Sequence, residues 1–220
     1  MHAHTLRRWQ TGSGLVFSLF VVVHLVNVAL AAFGAETHDA YQRAVRAAYQ
    51  HPLLEPWLVL FPLVVHIACG VVTTKRHLAS TAPRPRDLRT RAHRWSGRFL
   101  LLVIVGHVVA TRGASLVYET WPEFAGIAFT FVWVPAYFFP YYTLFAVAAV
   151  VHGVLGLALG LPTFGVRVTT LLAPRVLVPV LLALSVVVVT GVLGYSGLLF
   201  DVGDPSASPY ARLVLSLTGR

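Results

Sequence analysis

Charge is scarce in this 220-residue sequence: 17 basic and 8 acidic residues make up only 11% of it, while 57% is hydrophobic. A soluble domain of this length does not combine so little charge with so many long apolar runs, so the composition points to an integral membrane protein. Cysteine is almost missing. The single Cys69 lies inside an apolar run, which excludes a disulfide scaffold or thiolate cluster within the chain. The first apolar run begins after "TLRRWQTGSG" and holds His24 and Asn27, and it reads as a retained helix and not as a signal peptide. There is no dinucleotide-binding glycine fingerprint, no phosphate-binding loop and no HExxH pair.

What is present is a set of apolar runs long enough to span a bilayer, which takes about 20 residues each. Five spans are expected near residues 12–33, 54–74, 96–113, 140–161 and 174–199. The third is short in apolar residues, but Arg94 and Arg98 can snorkel at its start. Pro174 and Pro179 fall in the first turns of the fifth, where missing amide donors cost least. Residues 121–142, "WPEFAGIAFTFVWVPAYFFPYY", are divided by Pro135 and Pro140 and rich in aromatics that suit the headgroup level. They read as an interfacial segment or an N-terminal extension of the fourth helix; a sixth span would reverse that helix. The stretch "THDAYQRAVRAAYQ" puts Tyr41, Val45, Ala48 and Tyr49 on one stripe, as for a short helix on the outer surface.

Charge sets the orientation. With five spans, Arg7, Arg8, Lys75, Arg76, Arg84, Arg86, Arg89, Arg91, Arg94, Arg98, Arg167 and Arg175 share one side with the acid Asp87. The other side carries Arg43, Arg46, Arg112, Arg212 and Arg220 with the remaining seven acids. The first side is expected to be cytoplasmic, with the N-terminus inside and the C-terminus outside. The net charge of +9 is then a topology signal and not a footprint for nucleic acid. The extended, basic loop "STAPRPRDLRTRAHR" suits docking to a soluble partner.

The internal pattern is sharper. Ser13-Gly14 and His24 recur as Ser96-Gly97 and His107, an offset of 83, and His66 with Gly70 recurs as His152 with Gly156, an offset of 86. The unit looks like a helical hairpin with one histidine per helix, used twice, followed by a fifth helix. His2, His4, His38, His51, His77 and His93 fall outside the apolar runs and read as ordinary surface residues. His24, His66, His107 and His152 each sit among apolar turns, where an imidazole is costly and faces the bundle interior with a partner. Counted from the cytoplasmic helix ends at 1.5 Å per residue, His24 and His107 lie at roughly 20 Å and His66 and His152 at roughly 15 Å. Odd and even helices thus give two matched pairs.

Zinc would need more ligands than two imidazoles, and no carboxylate or thiolate cluster accompanies them. A proton channel would favour acids or a closer polar chain. Haem iron fits: two histidines from different helices complete six-coordination, and the macrocycle fills space between helices. Gly70, Gly106, Gly153 and Gly156 would let a flat ring approach, although such glycines also serve ordinary membrane packing. Two six-coordinate haems make an electron path with no open position for a substrate. A flavin or other two-electron site then belongs to partner subunits.

The segments "RRWQTGSGLVFSLFVVVHL", "LFPLVVHIACGV", "RAHRWSGRFLLLVIVGHV" and "AVAAVVHGVLG" resemble the cytochrome b membrane anchor of succinate dehydrogenase and fumarate reductase, in the class where one five-helix subunit holds two b haems. The resemblance covers essentially the whole chain and rests on the four histidine positions and their spacing. It implies that His24 and His107 hold the haem distal to the cytoplasmic subunits, and His66 and His152 the proximal one. It also implies propionate contacts at Gln10 and Thr11, with Arg94 and Arg98 as electrostatic candidates or, equally, interfacial anchors. The implied partners are an iron–sulfur subunit and a flavoprotein subunit on the cytoplasmic face of a bacterial inner membrane. The implied electron substrate is a quinone, commonly menaquinone, near the distal haem. Glu55 is a candidate proton-handling carboxylate there; a solvated helix-start residue is the favoured rival reading. Some members carry a glutamate close before the fourth-helix ligand, for returning protons across the membrane. Here the stretch "AVAAVVH" has no acid.

Rival classes are a cytochrome b serving a hydrogenase, formate dehydrogenase or other quinone-linked module, and a structural or transport protein with intramembrane histidines. The cytochrome b of a quinol–cytochrome c complex usually repeats two histidines within each ligating helix, unlike this chain.

Overall fold

The computed structural model describes residues 3–79, 87–169 and 173–219, and these are all-helical with no strand among them. Helix α1 spans Ala3–Leu30 and runs into a short 3-10 turn, Ala31–Phe33. Helix α2 is Ala35–Tyr49, and α3, Phe61–Leu78, follows a π-helical turn at Pro56–Leu60. Helix α4, Leu88–Val108, continues through a second π turn, Val109–Gly113, into α5, Ala114–Tyr118. Then come α6, Phe124–Trp133, α7, Pro135–Gly160, α8, Pro174–Tyr195, and a short terminal α9, Pro209–Leu217.

Five helical stretches are long and apolar enough to cross a membrane: His4–Phe33, Pro56–Arg76, Leu88–Tyr118, Pro135–Phe164 and Pro174–Tyr195. All five overlap the spans read from hydropathy, but several ends differ. The first and third begin eight residues earlier, at His4 and Leu88. Their polar opening turns continue the helix because neighbouring helices pack on them; hydropathy registers only the apolar part. Asp87 caps the third span by accepting from the Thr90 amide at 2.7 Å. That bond holds the Asp87 carboxyl below its ordinary range. The fourth span begins at Pro135, so residues 135–140 do extend that helix. Residues 124–133 form a separate helix whose Phe124, Ala128, Phe129 and Phe131 are buried in protein and not laid on an interface. The fifth ends at Tyr195, short of the expected 199. Of the loop between α3 and α4, residues 80–86, with Arg84 and Arg86, lie outside the described residues, as do His2 and Arg220.

The apolar core joins the ends of α1 and α8 to α6 and α7, through Ala31, Phe124, Ala128, Phe131, Ala146, Val150, Val188, Val192 and Tyr195. Backbone approaches backbone there. A Cβ on Gly191 would collide with the Val28 carbonyl, and one on Gly194 with that of Ala31, so α8 seats directly on α1. Helix α1 packs along α3, and α4 along α7. Between these two antiparallel pairs lies a cavity of about 2020 Å³. Helix α2 closes its outer end with Gln42, Val45, Arg46 and Tyr49 facing in. Val45 and Tyr49 belong to the expected stripe, whereas Ala48 is exposed.

Candidate functional site

All four histidines flanked by apolar turns line the cavity, and they meet in two pairs. The His66 and His152 rings have centroids 6.0 Å apart with an interplanar angle of 81°. Those of His24 and His107 are 5.9 Å apart at 65°. A metal–imidazole bond of about 2 Å puts the ring centroid roughly 3 Å from the metal, so two trans imidazoles have centroids roughly 6 Å apart. Both pairs have this separation, and each joins one helix of the α1/α3 pair to one of the α4/α7 pair.

The inner pair is held by a local arrangement that occurs twice. His66 Nδ1 lies 2.9 Å from the Gln10 carbonyl oxygen, and His152 Nδ1 lies 3.1 Å from that of His93. A carbonyl only accepts, so each Nδ1 carries the proton and each Nε2 keeps its lone pair for a metal. One turn further along α1 and α4, Gly14 and Gly97 make room for the rings. A Cβ on Gly14 would stand 2.7 Å from His66 Nδ1, and one on Gly97 would stand 2.7 Å from His152 Cε1. The preceding serines bond inward to their own helices: Ser13 Oγ donates to the Trp9 and Gln10 carbonyls, Ser96 Oγ to those of Ala92 and His93. The repeated Ser-Gly pair is therefore a seat for the histidine of the neighbouring helix.

The outer pair is packed by aromatic rings. Phe20 stacks on His24 at 5.7 Å, Phe145 meets His107 edge-on at 4.9 Å, and Tyr49 of α2 packs on Phe20 at 5.3 Å. Burial pushes the Tyr49 phenol up, against the opposing hydrogen bond from Gln50.

The two ends of the cavity differ. Arg7, Lys75, Arg76, Arg94 and Arg98 line the end nearest the N-terminus, and Arg98 lies 5.2 Å from the Trp95 ring. Gln10 is brought to the inner pair; its side-chain oxygen accepts from Thr73 Oγ1 at 3.0 Å. Thr11 lines the cavity and packs where a Cβ on Gly160 would meet its methyl at 2.8 Å. At the opposite end Arg112 grips Glu55 with two bonds, Nε to Oε1 at 2.7 Å and Nη2 to Oε2 at 2.5 Å. Glu55 is 7% exposed, so the favoured reading of a solvated helix-start residue is corrected. The pair joins the two π turns, an irregularity frequent at functional sites.

Two histidines expected at the surface lie inside the protein. His38 is fully buried, its ring held between Asn27 Nδ2 at 2.9 Å and Asp39 Oδ1 at 2.7 Å. His93 stacks on His152 at 4.2 Å and 8°, inside the cavity. Applying the 83-residue offset to Gln10 lands on His93, a signal that was present in the sequence. Arg112 was legible only as one of the outer basic residues.

Among the described residues no group of three or more His, Cys, Asp or Glu side chains converges on a point. A metal ion held by protein alone does not fit this donor set. A flat, metal-centred macrocycle between two imidazoles does, because the ring spacing, the free Nε2 atoms of the inner pair and the cavity agree with it. The cavity is about twice the upper size of an ordinary small-ligand pocket. Gly106 and Gly153 line it with no described atom within 4 Å of an added Cβ, whereas Gly70 and Gly156 face Gln10 and His93. Searches of protein-family models, curated proteins and solved structures return no match to this chain.

Proposed function

We propose that this chain is a di-haem cytochrome b built on a repeated helical hairpin. It anchors a succinate:quinone or quinol:fumarate oxidoreductase in the bacterial inner membrane. The observation that carries the reading is the pair of imidazole pairs, with centroids 5.9 and 6.0 Å apart, facing one cavity. His66 and His152 ligate the proximal haem, and His24 and His107 the distal one. Held by these histidines, haem would supply one-electron redox chemistry.

The chain's own residues do the rest. The carbonyls of Gln10 and His93 fix the inner imidazoles in the ligating tautomer. Gln10, Thr11, Arg94 and Arg98 stand at the inner end, where propionates and the electronegative face of an iron–sulfur subunit would be held. A flavoprotein subunit beyond it interconverts succinate and fumarate; this chain does no such chemistry alone. The two histidine pairs would hold haems between the iron–sulfur subunit and a membrane quinone, menaquinone in this class, at the outer end. Glu55, held by Arg112, is the carboxylate that exchanges protons with it. The assignment to succinate and fumarate rests on the sequence resemblance, and the two-site electron path rests on the histidine geometry.

The test is a reduced-minus-oxidised spectrum, with haem quantification, of the chain purified with its native partners. Two b-type haems per chain are expected, with flavoprotein and iron–sulfur subunits co-purifying. Absence of b-type absorption after haem supplementation would overturn the cytochrome reading, and a hydrogenase or formate dehydrogenase partner would overturn only the choice of complex.

A further inference from the structure

The outer end of the cavity carries a cation whose bonding capacity the described residues leave partly unused. Arg46 lies on the inward stripe of α2, its guanidinium 4.3 Å from the Trp121 ring centroid. Its Nη2 reaches Glu123 Oε1 at 3.5 Å, a long contact to a carboxylate that is 43% exposed. Its Nη1 is buried and has no hydrogen-bond partner among the described residues. The neighbouring Arg112 is different. Nε and Nη2 are spent on Glu55 and Nη1 on Ser115, so its charge is balanced. A guanidinium does not lose its proton in a protein, so a buried, unbonded N–H on one calls for an acceptor with negative charge.

Two amides line the same cavity. Gln42 stands one turn before Arg46 on α2, and Asn27 stands one turn beyond His24 on α1. Both line the cavity, and Gln42 Oε1 and Asn27 Oδ1 are buried without a partner among the described residues. A carboxylate suits the cation: one oxygen accepts from Nη1, and the other can reach Gln42, one turn away, through water. A neutral quinone carbonyl would accept from Nη1 but add no negative charge to the long Glu123 contact. The location is also specific. Tyr49, on the same stripe as Arg46, touches Phe20, which stacks on His24.

We propose that Arg46, with Gln42 one turn away, forms a carboxylate site whose ligand is a propionate of the haem held by His24 and His107. The inference rests on the two-haem reading above and assigns α2, a helix outside the spans, to the binding of that haem.

The test uses the whole complex, carrying haem isotope-labelled at the propionate carboxyls, in the parent, Arg46→Gln and Arg46→Lys forms. Redox-difference infrared spectra and potentiometric titrations of both haems are the readouts. In Arg46→Gln the labelled carboxylate band moves, and one midpoint falls, that of the haem lost in His24→Ala. The other midpoint stays, since only the outer haem loses a neighbouring positive charge. Arg46→Lys keeps the charge and restores most of the midpoint while still moving the band, so it reports even where Arg46→Gln fails to accumulate. Unmoved bands and midpoints, with both haems loaded, would overturn the site; it would then serve a free anion or the quinone. A parent complex without haem would overturn the two-haem reading itself, a separate outcome.

Discussion

The backbone of Gly14 lies so close to the ring of His66 that an added Cβ would stand 2.7 Å from Nδ1, and Gly97 stands in the same relation to His152. Neither ring can yield, because each Nδ1 is tied to a carbonyl of the same helix that carries the glycine. Gly14→Ala and Gly97→Ala are therefore expected to displace the inner pair. Overpacking of this kind costs about 1–3 kcal/mol. Thermal denaturation in detergent should show that loss, and, if the chain holds the two haems proposed, haem content should fall by half. Gly106→Ala and Gly153→Ala meet no described atom within 4 Å, so neither should displace a ring of the inner pair. An unchanged melting temperature in Gly14→Ala and Gly97→Ala would show that the glycine seats do not matter.

The pairing of rings across the helix pairs makes a second prediction. His24→Ala and His107→Ala should remove the same haem, and His66→Ala and His152→Ala the other. Low-temperature spectra and potentiometry of the four variants resolve which component each one loses. Selective loss of one common haem in His24→Ala and His66→Ala would mean that ligands pair along each hairpin and not across the cavity.

Much of this arrangement was legible in the sequence, and what was not has a physical cause. The four cavity histidines stand out because apolar neighbours make an imidazole conspicuous. His38 has no such contrast in "ETHDAYQ". Its burial comes from Phe124 and Tyr195, whose rings approach to 5.8 and 5.3 Å from distant parts of the chain. Glu55 looked solvated for the same reason: Arg112, which buries and neutralises it, lies 57 residues away. Helix ends at His4 and Leu88 escaped a hydropathy reading because polar turns there are held by packing and, at Leu88, by the Asp87 cap.

His38 gives a stability prediction independent of any cofactor. Its ring joins Asn27 of α1 to Asp39 of α2, and Asp39 also accepts from the Phe124 amide at 2.8 Å. His38→Ala leaves the buried Asn27 amide without its partner and loosens Asp39, which costs about 1–3 kcal/mol. The melting temperature should fall while the spectra of retained haem keep their shape. An unchanged melting temperature would mean that α2 is not held by this ring.

Asp87 supplies the pH dependence. Its carboxyl titrates below its ordinary range because the Thr90 amide bonds its charged form, so the folded chain favours the ionised state. The cap's stabilisation is present above the unfolded carboxylate's pKa and is lost as pH falls through the lowered folded value. Asp87→Ala should cost about 1 kcal/mol at neutral pH. The difference in melting temperature between parent and variant should shrink on acidification; a difference independent of pH would rule out the charged cap.

Glu55 and Arg112 are tied by two bonds, with the Glu55 side chain 9% exposed and that of Arg112 24%. Removing one partner of a buried pair costs about 3–5 kcal/mol, mostly through the charge left behind, while replacing both with apolar residues is often near neutral. Glu55→Leu should therefore destabilise the chain by about 3 kcal/mol, and Glu55→Leu with Arg112→Met should recover most of that. Function separates from stability in the double variant. If Glu55 exchanges protons with quinone, the stable double variant reduces quinone slowly, while dye reduction by the partner subunits is unaffected. Equal quinone and dye rates in parent and double variant would confine the ion pair to holding the two π turns together.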